Sequence, residues 1–275
     1  MTEQKPGQVR LDKPRDHVAR ITLDNPARKN ALSYDMGAEL TAICEGLQQE
    51  HDVRAVVLTG AGDTFSAGGD VKRMAGLTPG RSPRADVSNW HDDSYTAMAR
   101  RTILAMAELE RPVIAAVSGA AYGWGMDIAL ACDIRIASAT ARFQSTFVRR
   151  GAVSGTGATY LLPRLIGHSR AAELLFTART VGAEEAERIG LVSSVCEPGE
   201  LEEAALALAA EIALAAPLSL RLTKRALQSP AGQQGTLRSA LTELMYLNQI
   251  ALASADHSES AKAYLERRPP NFTGE

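Results

Sequence analysis

Two short aliphatic runs, VRAVVLT at 53–59 and VIAAV at 113–117, constrain this chain most. Runs of that kind suit strands buried on both faces of a sheet, because a half-exposed strand would alternate apolar with polar residues. Buried strands that share a sheet need crossovers of helical length between them. The chain supplies such segments. HVARITL at 17–23 reads as a first strand and ends at the turn signal Asp24-Asn25-Pro26. Ser33 then reads as an N-cap, and Met36, Leu40, Ile43 and Leu47 recur at helical spacing through residues 34–49. Further on, the pattern predicts a helix over about 92–109, a small-residue turn over 119–125, a short buried helix over 126–132 and a strand over 133–137. Strand and helix alternating in this way mark an α/β architecture.

The character changes near residue 200. Beyond it Ala, Leu and Glu dominate, and Pro217 and Pro230 separate amphipathic segments at 200–215, 218–228, 237–254 and 258–267. The division expected is an α/β core over 1–200 and a helical region over 201–275, whose apolar faces must be buried against the core or another subunit. Residues 76–89 (GLTPGRSPRADVSN) read as a loop and a candidate lid.

The 275 residues carry a net charge of −2, so no basic field exists to recruit nucleic acid or an anionic membrane. The N-terminus is polar, and no apolar run is long enough to span a bilayer. Cys44, Cys132 and Cys196 are widely spaced and read as reduced thiols. A soluble, cytoplasmic protein is expected. The five histidines form no HxxxH or HExxH pair, so no metal site is expected. Nor is there a GxGxxG, a GxxxxGK[ST] or a GxSxG elbow.

Two glycine-rich places stand out: Phe65-Ser66-Ala67-Gly68-Gly69-Asp70 and Gly119-Ala120-Ala121-Tyr122-Gly123-Trp124-Gly125. Each follows the carboxyl end of a buried strand, where open α/β folds place ligands. Amides in the first turn of a helix lack internal partners. Two such turns facing one another would make a two-donor oxyanion hole; spacing alone favours reading both as tight turns.

Several stretches resemble the enoyl-CoA hydratase/isomerase (crotonase) superfamily: FSAGGD at 65–70, RPVIAAVSGAAYGWGMDIALACDIRIAS at 111–138, YLERRPPNFTG at 264–274, ITLDNPARKNALS at 21–33 and GHSRAAELLFTARTVGAEEAERIGLVSSV at 167–195. The resemblance covers about residues 8–274. It implies a crotonase-like (ClpP/crotonase) α/β spiral of repeated ββα units with a C-terminal helical region that trimerises. It also implies an acyl-CoA thioester as substrate, a homotrimer or hexamer, and no cofactor beyond coenzyme A as part of that substrate. The main-chain amides of Gly69 and Trp124 match the pair that holds the thioester oxygen. A glycine is usual at the second place; here it is Trp124, whose ring either narrows the acyl pocket or packs in the core. Ala27, Arg28, Lys29 and Ala31 match the loop around CoA, although Arg28 and Lys29 also suit a solvated surface. Ser66, Ala67, Gly68, Asp70, Val71, Lys72, Gly123 and Phe147 complete the implied substrate-binding set.

The family's hydratases place two glutamates on either side of one water. The matching positions here are Asp127 and Phe147. One acid is shortened by a methylene and the other is replaced by a ring, which casts doubt on hydration, since water addition needs both a base and a proton donor. Asp127 remains the candidate proton-transfer group; capping its own helix is the other reading. The functional expectation is an enoyl-CoA hydratase/isomerase-type enzyme. The alternatives are a weakly catalytic or non-catalytic acyl-CoA binding protein, or a thioester hydrolase or C–C lyase on the same fold. Ser145, Thr146, Arg149, Arg150, Ser154, Thr156, Tyr122, His91, Asp92, Asp93 and Tyr95 are further polar candidates, with Arg149 and Arg150 suited either to a carboxylated acyl chain or to plain surface. Asp133 is expected to tie strand to helix.

Overall fold

A computed structural model describes residues 7–70, 94–229 and 235–275. The first hairpin pairs β1 (Gln8–Arg15) with β2 (Val18–Asp24) in antiparallel register. From β2 the main sheet runs parallel through β3 (Ala55–Gly60), β4 (Val113–Val117), β6 (Ile134–Ser138) and β9 (Ser194–Cys196), giving six strands in the order β1-β2-β3-β4-β6-β9. Every residue of β4 is buried, as the aliphatic run requires.

A second, smaller sheet holds β5 (Ala120–Tyr122), β7 (Arg142–Gln144) and β8 (Val181–Gly182). Single parallel bridges extend it, Ser66 to Ala121 and Leu32 to Gly69. Successive turns of chain thus place one segment in each sheet and then enter a helix, so the chain spirals through both layers.

Helix α1 (Tyr34–Gln49) begins where Ser33 Oγ accepts the Met36 amide at 3.1 Å and buries Met36, Leu40 and Leu47. Helix α2 (Tyr95–Glu108) packs along it, and α3 (Trp124–Ala131) is buried at every position. They share one core with α4 (Ala158–Ile166), α5 (His168–Thr177) and α6 (Ala183–Arg188). Helix α7 (Leu201–Ala213) covers the sheet's other face. Its Leu201, Ala205, Leu206, Ala209 and Ala213 pack on Val18, Ala55, Val57, Ile114, Ala116 and Ile136. In packing terms, the first of the Ala/Leu-rich helices therefore belongs to the sheet's own core.

Helices α8 (Pro217–Gln228), α9 (Leu237–Leu252) and α10 (Ala255–Glu266) follow. On α9, Leu237, Leu241, Leu244, Met245 and Ile250 are exposed. Asp133 ties the layers together as expected: its Oδ2 accepts the Val113 amide at 2.8 Å and the buried Lys224 ammonium at 2.7 Å. Among the described residues no single helix is long and apolar enough to cross a membrane.

Candidate active site

The site grows from two turns pressed together beside the smaller sheet. After β3 the chain passes Phe65 and Ser66, both fully buried. Ser66 Oγ donates to Asn30 O at 2.8 Å and accepts the Gly68 amide at 3.1 Å. Gly68 has φ +92°, and a Cβ there would meet Tyr122 O at 2.4 Å and Trp124 N at 3.6 Å. A Cβ on Gly125 would in turn meet the Ser66 Cβ at 2.6 Å. Glycine at both places lets the turn at 66–69 lie directly against the start of α3.

The Gly68 carbonyl accepts the Leu32 amide at 2.8 Å, and the Asp70 amide donates to Leu32 O at 3.1 Å and to the Tyr95 hydroxyl at 3.1 Å. Between them the Gly69 amide donates to no group among the described residues. The Trp124 amide, first in α3, is likewise without a partner, whereas the Asp127 amide closes the first helical turn on Gly123 O at 3.0 Å. Gly69 and Trp124 both line a cavity of about 520 Å³. Both residues on that wall keep an unpaired N–H, one of them at a helix N-terminus, and such groups are suited to an oxygen that gains negative charge.

The rest of the wall is mostly apolar. Tyr95, Thr96 and Ala99 come from α2; Thr146, Phe147, Arg150, Ala152, Val153, Gly155 and Thr156 come from the segment between β7 and α4. The Trp124 ring packs in the core. It stands edge-on to Tyr95 with centroids 5.4 Å apart and presses on Gly37 of α1, and the residue as a whole is 3% exposed.

Asp127 sits one turn into α3 and is 0% exposed. Its Oδ2 accepts hydrogen bonds from Ser154 Oγ, at 2.7 Å, and from Thr156 Oγ1, while its Oδ1 has no partner. Burial pushes its pKa up to about 6, although the Thr156 and Ser154 hydroxyls and the Ala158 amide pull it down. Asp127 itself is absent from the cavity wall, where Thr156 stands instead.

Other expected residues lie elsewhere. Ser66 is sealed inside the turn it builds and does not reach the cavity, because both its hydroxyl bonds are spent on backbone. Arg28 is exposed and ion-paired with Asp70 at 3.0 Å, joining the 27–31 loop to the first glycine turn. Ala67, Gly68, Gly123 and Phe147 line the cavity; Ala27, Lys29 and Ala31 do not. Arg149 turns away to Thr177 O. Val71, Lys72, His91, Asp92, Asp93 and the 76–89 loop fall outside the described residues.

One residue of the site was not foreseen. Asn30 is fully buried, and its Nδ2 donates to Ala61 O and Thr64 O, pinning the 27–31 loop to the segment after β3. Its place in the run KNA carries no local signal beyond a polar residue near a turn.

A second cavity of about 520 Å³ lies beside Arg10, Arg20 and Glu202. Its arginines are already paired, Arg10 with Asp24 and Arg20 with Asp12 and Glu202. Among the described residues, no group of three or more His, Cys, Asp or Glu is gathered to hold a metal ion.

Strand pairs feeding two stacked sheets, with helices closing each turn of the spiral, define the crotonase fold. The structure superposes on an enoyl-CoA hydratase of Bacillus anthracis with a TM-score of 0.89, at 35% identity, over 98% of this chain and 100% of that one. The enoyl-CoA hydratase/isomerase family model matches residues 14–275. A protein of Mycobacterium tuberculosis named a probable enoyl-CoA hydratase is 40% identical over 272 residues, covering 96% of this chain and 92% of that one. The (E)-benzylidenesuccinyl-CoA hydratase of Thauera aromatica is 37% identical over 260 residues, covering 94% and 96%. The chain belongs to the enoyl-CoA hydratase/isomerase family.

Proposed function

We propose that the protein acts on an enoyl-CoA thioester. In this reading the thioester oxygen is held by the Gly69 and Trp124 amides, and Asp127 is the carboxyl group that moves the proton. The observation that carries it is that two residues with unpaired backbone amides, Gly69 and Trp124, line one largely apolar cavity. As the substrate carbon loses a proton, negative charge moves onto the thioester oxygen, and it leaves when a proton returns; each aligned amide contributes about 3–4 kcal/mol to stabilising the enolate. Coenzyme A enters as part of the substrate, with the 27–31 loop as its contact.

One carboxyl group suits double-bond migration better than hydration. Migration takes a proton from one carbon and returns it to another, which a single acid–base group can do. Hydration needs a base for the water and an acid for the carbon, and Phe147 lines the wall where the second acid would stand. We therefore assign isomerisation as the principal activity and hydration as the slow one. The test is turnover on paired 2-enoyl- and 3-enoyl-CoA substrates. Isomerisation lost in Asp127→Asn supports the reading. Tight binding of every acyl-CoA tried, with no turnover of any, would instead identify a carrier.

The exposed stripe on α9 supports assembly through the C-terminal helices as a homotrimer or hexamer. A monomer mass by light scattering at micromolar concentration would overturn that assignment.

A further inference from the structure

The carboxyl group and the cavity do not touch directly, and one side chain stands between them. Thr156 is 6% exposed, lines the cavity and donates its hydroxyl proton to Asp127 Oδ2. Ser154 makes the same bond from another direction, but it is absent from the cavity wall, and its oxygen also accepts the Ala158 amide at 3.2 Å. The two hydroxyls therefore have different situations. Ser154 is anchored to the start of α4. Thr156 has Asp127 as its one side-chain hydrogen-bond partner among the described residues. No other polar side chain of the cavity wall, whether Tyr95, Thr96, Thr146 or Arg150, bonds to Asp127.

We propose that Thr156 is a catalytic residue that relays the proton between Asp127 and the substrate carbon, with Ser154 as the positioning residue that holds the carboxyl group. This rests on the reading of Asp127 as the acid–base group. In the protonating direction the Thr156 O–H bond breaks and a C–H bond forms at the enolate carbon. The Asp127 O–H bond breaks in the same step, its proton passing to the Thr156 oxygen. The enolate's negative charge ends on Asp127, and Thr156 is unchanged. The reverse sequence removes a proton from substrate. No other reactant is needed.

The surroundings suit the traffic. The groups that act most strongly on Asp127 are the two hydroxyls and the Ala158 amide, and it makes no ion pair among the described residues. Carboxyl and carboxylate forms are thus both accessible near neutral pH, and in either form a hydroxyl at Thr156 can donate to one neighbour while accepting from the other.

The test follows hydrogen exchange at the carbon next to the thioester. Wild type, Thr156→Val, Thr156→Ser and Asp127→Asn are incubated with 3-butenoyl-CoA in D2O, and deuterium incorporation is read by mass spectrometry. Binding of the same thioester is titrated in parallel. The relay requires that Thr156→Val, which keeps shape and loses the hydroxyl, slow exchange by about 100-fold or more with binding retained. Thr156→Ser must restore exchange to within about tenfold of wild type. Should Thr156→Val not fold, Thr156→Ala is judged by the same criterion. Thr156→Val exchanging within about threefold of wild type while Asp127→Asn is inactive would overturn the relay and leave Asp127 acting directly. Full exchange in Asp127→Asn, or none in wild type, would remove the acid–base reading and the relay with it.

Discussion

The Tyr95 hydroxyl accepts the Asp70 amide at 3.1 Å and donates to Leu32 O at 2.9 Å, so one phenol from α2 ties down the residue that follows Gly69. The same ring stands edge-on to Trp124. Tyr95 thereby braces both turns of the candidate oxyanion hole. Tyr95→Phe keeps the ring and removes both hydrogen bonds. Stability should fall by about 1–2 kcal/mol, and turnover should fall with the looser Gly69 amide while the affinity for free coenzyme A stays constant. Thermal unfolding and steady-state kinetics read the two effects. An unchanged melting temperature together with unchanged turnover would deny Tyr95 this role.

Gly68→Ala asks more of the backbone. A side chain at φ +92° is strained, and its Cβ would sit 2.4 Å from a carbonyl oxygen that cannot swing aside. Relief comes only by parting the two turns, which separates the paired amides. A loss of about 10²–10³ in kcat/KM is expected, together with a lower melting temperature. Gly46→Ala is the control: nothing lies within 4 Å of a Cβ there, in the last turn of α1. It should stabilise by about 0.5–1 kcal/mol and leave kinetics alone.

Asp127 makes stability depend on pH in a defined direction. Its folded-state pKa, about 6, lies above the ordinary 3.8. The folded chain therefore holds a proton that the unfolded chain has released. This contribution is complete below about pH 3.8 and is lost as pH rises through about 6. Asp127→Asn carries no charge to bury. Its stability relative to wild type should rise between pH 4 and pH 8 by on the order of 3 kcal/mol. Urea unfolding across that range measures the gap; a gap that stays flat would place the carboxyl group in a more polar setting.

These residues divide by how locally they are determined. The Ser33 cap and the Met36, Leu40, Leu47 spacing made α1 legible, because both signals act within one helix. The aliphatic runs marked β3 and β4 for the same reason. Strand β1 gave no such sign: QVRLDKPR is almost wholly exposed and becomes a strand by pairing with β2. Strands β5, β7 and β8 are two or three residues long, and their register is imposed by the main sheet around which the chain spirals. Within the site, the glycine turns and Asp127 could be located from the motifs. The side-chain directions could not. Trp124 turns toward Gly37 because α1 and α2 leave space there, and Thr156, in a run of Ser, Gly and Thr that reads as loop, meets Asp127 only through the docking of α4 on α3.

Phe147 offers a direct test of what limits the chemistry. Its ring lines the cavity, and its Cζ is 4.0 Å from where a Cβ on Gly123 would lie, at the start of α3. A carboxylate introduced there would face the unpaired amides of a helix N-terminus, which favours its charged form. Phe147→Glu thus supplies a base for water on a wall that holds no carboxylate or imidazole among the described residues, while Asp127 remains the proton source for the carbon. Hydration of crotonyl-CoA should rise by about tenfold or more, and its rate should acquire a new acid limb as the added carboxylate titrates. Isomerisation of a 3-enoyl-CoA, which needs no second acid, should change little. The swap also trades a half-buried ring for a partly desolvated charge, so a stability loss of about 1–3 kcal/mol is expected. If the variant folds and isomerises yet hydrates no faster than wild type, the missing second acid is not what holds hydration back. The obstacle would then be the absence of room for a water beside Trp124.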